Sequence, residues 1–193
     1  KVGGGRPRRR AGRDVVLLGA GTIGRAVLDL LAAHPARFER LRIVAVVDRR
    51  GALIDAEGLS RETLLAIAAA KREGRSLGDL PGARHGTPRE VLHDLTHRAL
   101  VRPILADVTA DETLSLLKYA ADAGFDLVLA NKKPLAAAFA DVEALRGVIA
   151  ARGGALRFEA TVGAGLPTIA AIEQLVGTGD RVRRIEGCLS GTL

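Results

Sequence analysis

Cysteine, methionine and aromatic residues are almost missing from this chain of 193 residues. The single cysteine, Cys188, excludes an intramolecular disulfide framework and fits a reducing, cytoplasmic setting. Aromatic residues make up 3% of the sequence, so a core must be built from Leu, Val, Ile and Ala. Methionine does not occur at all, the initiator included, which reads as a chain beginning inside a longer reading frame. Long apolar runs are lacking too. Charge interrupts each of them before the roughly 20 residues that a bilayer helix requires, so no membrane span is expected. The opening stretch Lys1 to Arg13 is basic and glycine-rich rather than apolar, which is not a secretory pattern.

The composition that remains is globular, with 48% apolar and 26% charged residues. It is enough for one domain, or for one domain and the start of another. A net charge of +7 hints at nucleic acid, but its placement argues otherwise. Six of the 29 basic residues precede Asp14 without one acid, leaving a body of 23 basic and 22 acidic residues. Residues 1–13 therefore read as a basic flexible tail or linker, and the body is nearly neutral.

From Asp14 onward, strand-like and helix-like segments alternate. Asp14–Leu18, Leu41–Val47, Val101–Ala106, Asp126–Ala130, Leu156–Val162 and Val182–Leu189 are predicted strands. Pro103 is a blemish in the third of them. Helical spacing covers Ile23–His34, Ser60–Glu73, Pro88–Thr96, Asp111–Ala123, Asp141–Ala151 and Pro167–Val176. Ser60 is placed as an N-cap and Pro167 as the first residue of its helix. Such alternation with short connections predicts an α/β fold with a mainly parallel, doubly wound sheet. Sites in such folds lie past the carboxyl ends of the strands.

The first strand runs straight into GAGTIG, a glycine loop that opens a helix. Gly19 permits the tight turn, Gly21 leaves room for a pyrophosphate, and Gly24 lets helix and strand approach. Thr22 and Ile23 stand where the loop passes into the helix, whose free amides and positive dipole end suit phosphate. Three glycines in a turn can be purely structural, but here the strand, the helix and an acid after the second strand are all present. That context predicts a Rossmann-like dinucleotide-binding domain. Asp48 is placed to bond a ribose 2′-hydroxyl, which favours NAD. Arg49 and Arg50 follow, where a guanidinium pairs with a 2′-phosphate and favours NADP, or simply faces solvent. Thr109 in DVTADE is placed near a nicotinamide, and with Glu112 it also spells a capping box for the next helix.

Later segments narrow the family. ANKKPL (Ala130–Leu135), EATVGAGLP (Glu159–Pro167) and the closing EGCLSGTL follow GAGTIG and DVT in order. This ordered set resembles homoserine dehydrogenases, over Asp14 to Leu193. The serine of CLSGT resembles fungal enzymes and those fused to aspartokinase, and a fused parent would account for a linker-like start. The resemblance implies NAD(P)-dependent interconversion of aspartate 4-semialdehyde and homoserine, on the route to threonine and methionine. It implies a small-molecule substrate and a homodimer formed through a further domain. Lys132 matches the residue that stabilises the developing alkoxide and supplies a proton, and the resemblance also implies that Ala130 and Lys132 contact the cofactor. Lys133 reads as structural or exposed, and Pro134 as the start of a helix. Glu159, Val162, Ala164 and Leu166 match a monovalent-cation (sodium) site, although a glycine-dependent strand–helix turn explains that loop as well. The family's substrate domain continues past this point with an acidic pair and a second lysine. Residues 14–158 thus read as the nucleotide domain and 159–193 as the beginning of an incomplete substrate and dimerisation domain.

Two other readings stay open: a different reductase of a small aldehyde or keto acid, and a non-catalytic NAD(P)-sensing module. Aspartate-semialdehyde dehydrogenase is disfavoured, because Cys188 has no recognisable base beside it.

Overall fold

Alternate residues of the first strand, β1 (Arg13–Leu18), feed two separate cores. Val15 and Leu17 point to one face of the sheet, Val16 and Leu18 to the other, and all four are buried. A strand covered on both faces needs an unbroken apolar run, and DVVLL provides one. The computed structural model describes residues 12–187. Its strands are β1, β2 (Leu41–Val47), β3 (Gly51–Ile54), β4 (Arg84–His85), β5 (Ile104–Asp107), β6 (Asp126–Leu129) and β7 (Leu156–Arg157). They form a single sheet in the order β4-β3-β2-β1-β5-β6-β7. The five strands from β2 to β7 in that order are parallel; β3 and β4 run antiparallel at one edge.

Helices cover both faces. Leu28 of α1 (Thr22–Ala33) and Leu64 and Ile67 of α2 (Arg61–Arg72) pack with Val15 and Leu17. On the other face lie Val91 and Leu95 of α3 (Pro88–Thr96) and Leu117 and Ala120 of α4 (Leu114–Asp122). Leu145 and Ile149 of α5 (Phe139–Ala151) complete that side. Burying a large aliphatic side chain fully contributes about 1.5–3 kcal/mol, so these two layers carry most of the stability. The last helix, α6 (Thr168–Gly177), buries none of its residues. No helix among the described residues is long and apolar enough to cross a membrane.

The amino ends of the strands are pinned by charge. Asp14 is 1% exposed; its carboxylate takes Nε of Arg42 at 2.7 Å and the Val101 amide at 2.7 Å. Asp126, at the start of β6, meets Arg13, Arg152 and the Ala155 amide. Burial would raise the Asp126 carboxyl, but the Ala155 amide, Arg13 and Arg152 together outweigh it and hold the group below its ordinary value of 3.8. A depressed carboxylate stabilises the fold fully above its unfolded pKa, and that contribution is lost as pH falls through the folded pKa. Urea unfolding should therefore give near-constant stability from about pH 7 to pH 5 and a decline below about pH 4. Asp126→Asn should lower stability at pH 7 and flatten the acid decline. An unchanged acid slope in that variant would remove Asp126 from the explanation.

Several boundaries differ from the sequence expectation. Arg13 belongs to β1 rather than to a tail. The strand expected over Val101–Ala106 starts only at Ile104, because Arg102 adopts a left-handed turn (φ 46°) and Pro103 offers no amide to a ladder. The helix expected from Asp111 begins at Leu114. Leu156–Val162 shortens to two paired residues, after which Glu159–Thr161 turns as a 3-10 helix. Pro167 is the N-cap of α6 rather than its first residue. Val182–Gly187 has no ladder, since no strand among the described residues lies beside it to satisfy its backbone. Ser60 caps α2, accepting from the Thr63 amide at 3.2 Å, as its position suggested. The basic stretch before Gly12, Cys188 and the serine–glycine–threonine motif lie outside the described residues.

Candidate functional site

β2 and β5 flank β1 on opposite sides, so the chain reverses its direction of winding there. Crevices open past the carboxyl ends of strands at such a point. Here the crevice is a cavity of about 850 Å³, large enough for a small-molecule ligand. Gly19, Gly21, Thr22 and Ile23 form its floor, Asp48 and Arg49 one wall, and Thr109 the other.

The three glycines stand in three different environments. Gly19 has φ 105°, a left-handed conformation in which a side chain is strained, and a Cβ there would also crowd Cγ2 of Thr109 at 2.9 Å. A Cβ on Gly24 would overlap the Gly19 carbonyl, so helix and loop touch at that point. Gly21, by contrast, has nothing within 4 Å of a Cβ built on it. It borders open space at the start of α1, a helix with no side-chain cap and no acid in its first turn. Unspent amides and open space together fit a pyrophosphate.

The acid after β2 is already engaged. Oδ2 of Asp48 accepts from Nζ of Lys71 at 2.8 Å and the Leu77 amide at 2.9 Å, and Oδ1 accepts from the Arg50 amide at 2.9 Å. Burial pushes this carboxyl up, yet the Lys71 ammonium and the Leu77 and Arg50 amides more than compensate and keep it below the usual range. Only the single-donor Oδ1 has spare capacity for a ribose hydroxyl. Arg49 is paired across the cleft with Asp111, which sequence reading did not single out.

Beneath Thr109 lies a buried polar cluster that the sequence reading also missed. Oδ1 of Asp107 accepts from the Thr109 amide at 2.9 Å and its hydroxyl at 2.7 Å. Oδ2 accepts from Oγ1 of Thr113 at 2.6 Å and Nδ2 of Asn131 at 3.0 Å. Nδ2 of Asn131 also reaches the Asp111 carbonyl at 2.8 Å. This corrects the expected capping box. The Thr109 hydroxyl donates to a buried carboxylate, a stronger acceptor than a neutral group. Thr113 is the N-cap of α4, and Glu112 instead pairs with Lys133 at 3.3 Å.

Ala130 and Lys132 do not line the cavity. The Ala130 amide bonds the Asp107 carbonyl at 2.9 Å, and Lys132 is exposed just past β6. Its carbonyl accepts from the amides of Leu135 and Ala136, starting a 3-10 turn in which Pro134 is buried. The four residues of the expected cation site are likewise separate from the cleft. Oε1 and Oε2 of Glu159 take the Ile169 and Ala170 amides at 3.0 and 2.8 Å, so this carboxylate caps α6. Val162 follows it, Ala164 is left-handed (φ 52°) and Leu166 is 69% exposed. Among the described residues no three His, Cys, Asp or Glu side chains converge to hold a metal.

Comparison with known proteins gives this geometry its family. The profile described as homoserine dehydrogenase, NAD binding domain, matches residues 19–159. The chain belongs to the homoserine dehydrogenase family. Homoserine dehydrogenase of Saccharomyces cerevisiae is 30% identical over 186 residues, covering 93% of this chain and 48% of that protein. A bifunctional aspartokinase/homoserine dehydrogenase from Zea mays is 28% identical over 93% of this chain and 19% of its own length. Among solved structures, a hyperthermophilic archaeal homoserine dehydrogenase in complex with NADPH superposes with a TM-score of 0.70 at 27% identity. That match covers 86% of this chain and 50% of the archaeal one. The chain thus spans about half the length of the yeast and archaeal enzymes. Homoserine dehydrogenases are NAD(P)-dependent oxidoreductases, and their NAD-binding domain is what residues 19–159 form.

Proposed function

We propose that the cleft binds NADP(H) in preference to NAD(H), for the interconversion of L-homoserine and L-aspartate 4-semialdehyde. The observation that carries this reading is the open space at Gly21 facing the uncapped start of α1. The lean toward NADP(H) rests on Asp48, whose carboxylate is largely satisfied by Lys71, Leu77 and Arg50, while Arg49 and Arg50 stand exposed at its side. A bound nicotinamide supplies or accepts the hydride. Lys132 is the residue we assign to the substrate oxygen, where an ammonium at a strand end can stabilise an alkoxide and pass it a proton. Its exposure suits a site completed by a further domain. Residues 14–158 then form the nucleotide domain, and residues 159–193 begin a unit that holds substrate and pairs two copies. In support, α6 has no buried residue, and Leu175 and Val176 on it are about half exposed. A monovalent cation at the 159–166 loop would be held by the carbonyls of Val162 and Ala164, since Glu159 caps α6 and the Leu166 carbonyl already accepts the Thr168 amide at 2.9 Å.

Nicotinamide fluorescence during titration with NADPH and NADH tests the cofactor half of this reading. Saturable binding of both, NADPH the tighter, is expected. Tighter NADH would reverse the assignment of Arg49, and homoserine oxidation surviving Lys132→Met in the whole enzyme would remove Lys132 from proton transfer.

A further inference from the structure

Arg49 and Asp111 come from opposite walls of the cleft. Arg49 follows β2, and Asp111 lies in the loop between β5 and α4. Their side chains meet as a two-point pair: Nε of Arg49 donates to Oδ2 of Asp111 at 3.0 Å, and Nη2 donates to Oδ1. Phosphate recognises a guanidinium through the same fork. The arginine side chain is 80% exposed and the carboxylate 36%, so solvent screens the pair and it opens readily.

We infer that Asp111 is a specificity-determining residue, an internal competitor that occupies the guanidinium a 2′-phosphate needs. The inference rests on the cofactor reading above. A dinucleotide without the 2′-phosphate can leave the Arg49–Asp111 pair closed, because it asks nothing of Arg49. One with the phosphate must draw Arg49 away, and its dianion then faces the freed carboxylate. Asp111 therefore works against NADP(H) and is neutral toward NAD(H). The competition also limits how tightly the phosphorylated cofactor is held in either redox state, which favours its release after turnover. Lys133 moderates the cost. Already paired with Glu112 at 3.3 Å, it still lies near enough to help Arg49 hold the Asp111 carboxyl below its ordinary value, and its charge continues to favour the released carboxylate.

The test is fluorescence titration of the chain and of Asp111→Asn, Arg49→Gln and the double variant, with NADPH and with NADH. Asp111→Asn should tighten NADPH about threefold to tenfold and move NADH by less than about twofold. In the double variant the gain should vanish, since no guanidinium remains to be freed. An unchanged NADPH affinity in Asp111→Asn, or an equal gain for NADH, would overturn the inference. Gly21→Val separates this from failure of the cofactor reading. If the unmodified chain binds and Gly21→Val does not, the phosphate site stands whatever Asp111 does. If the unmodified chain binds neither cofactor, both fall together.

Discussion

Gly21→Val should weaken dinucleotide binding by about two orders of magnitude or more while changing the unfolding free energy by no more than about 1 kcal/mol. The space that a side chain would fill at Gly21 is empty of protein, so the fold has no reason to resist it. A pyrophosphate drawn to the start of α1 has every reason to, because its oxygens must reach amides that two methyl groups would cover. Three residues on, Gly24→Ala should behave in the opposite way. Its Cβ would strike the Gly19 carbonyl, and neither backbone segment can step aside, since Gly19 is itself held between β1 and the Thr109 loop. Overpacking against backbone of this kind costs about 1–3 kcal/mol, and here the upper part of that range is expected. Chemical denaturation beside cofactor titration, on both variants, separates the two roles. A Gly21→Val protein that binds as tightly as the unmodified chain would place the phosphates elsewhere.

That contrast shows what a sequence can carry. The buried parallel strands were legible because covering both faces demands runs such as DVVLL and RIVAVV, and the glycine loop was legible because its spacing is tied to a strand before it and a helix after it. The edge strands β3 and β4 were not. Four residues, GALI, and two, RH, are too short to show a period, and the antiparallel pairing of β3 with β2 depends on the turn at Asp48, whose carboxylate takes the Arg50 amide. Asp48 shows a different limit. Its place after β2 marked it as a cofactor contact, but Lys71 and Leu77, 23 and 29 residues later, decide how much of it remains available. The role proposed for Lys132 rests on family resemblance alone. Nothing in its exposed position past β6 marks it out from any other surface lysine. Asp107 and Asn131 had a signal that could have been used: each is a polar residue at or just past the end of an apolar strand, where a side chain must be buried with partners.

Those two residues carry the second large effect. Asp107 is fully buried and Asn131 is 2% exposed, and among the described residues no cationic side chain bonds either of them. The carboxylate is held instead by four donors: the amide and hydroxyl of Thr109, the Thr113 hydroxyl and the Asn131 amide group. Asp107→Asn keeps the shape but turns one acceptor into a donor. Whichever way the new amide faces, it meets a donor: the Thr109 amide on one side or Nδ2 of Asn131 on the other. Leaving a buried donor unpaired costs about 1–3 kcal/mol, and losing the charge weakens the remaining bonds, so a loss of about 3 kcal/mol is expected. For a chain of this size that corresponds to a fall in Tm of roughly 6–12 °C. Asn131→Ala should cost a similar amount, because it removes the Asp107 and Asp111 contacts together and leaves the Lys133 amide without Oδ1. The pair should be strongly non-additive, since each variant breaks the same cluster. Cofactor affinity should fall too, because Asp107 and Asn131 hold the loop that carries Thr109 into the cleft. Two single losses that simply add, or a loss below about 1 kcal/mol in either variant, would mean that water replaces the missing partner and that the loop is held by its backbone alone.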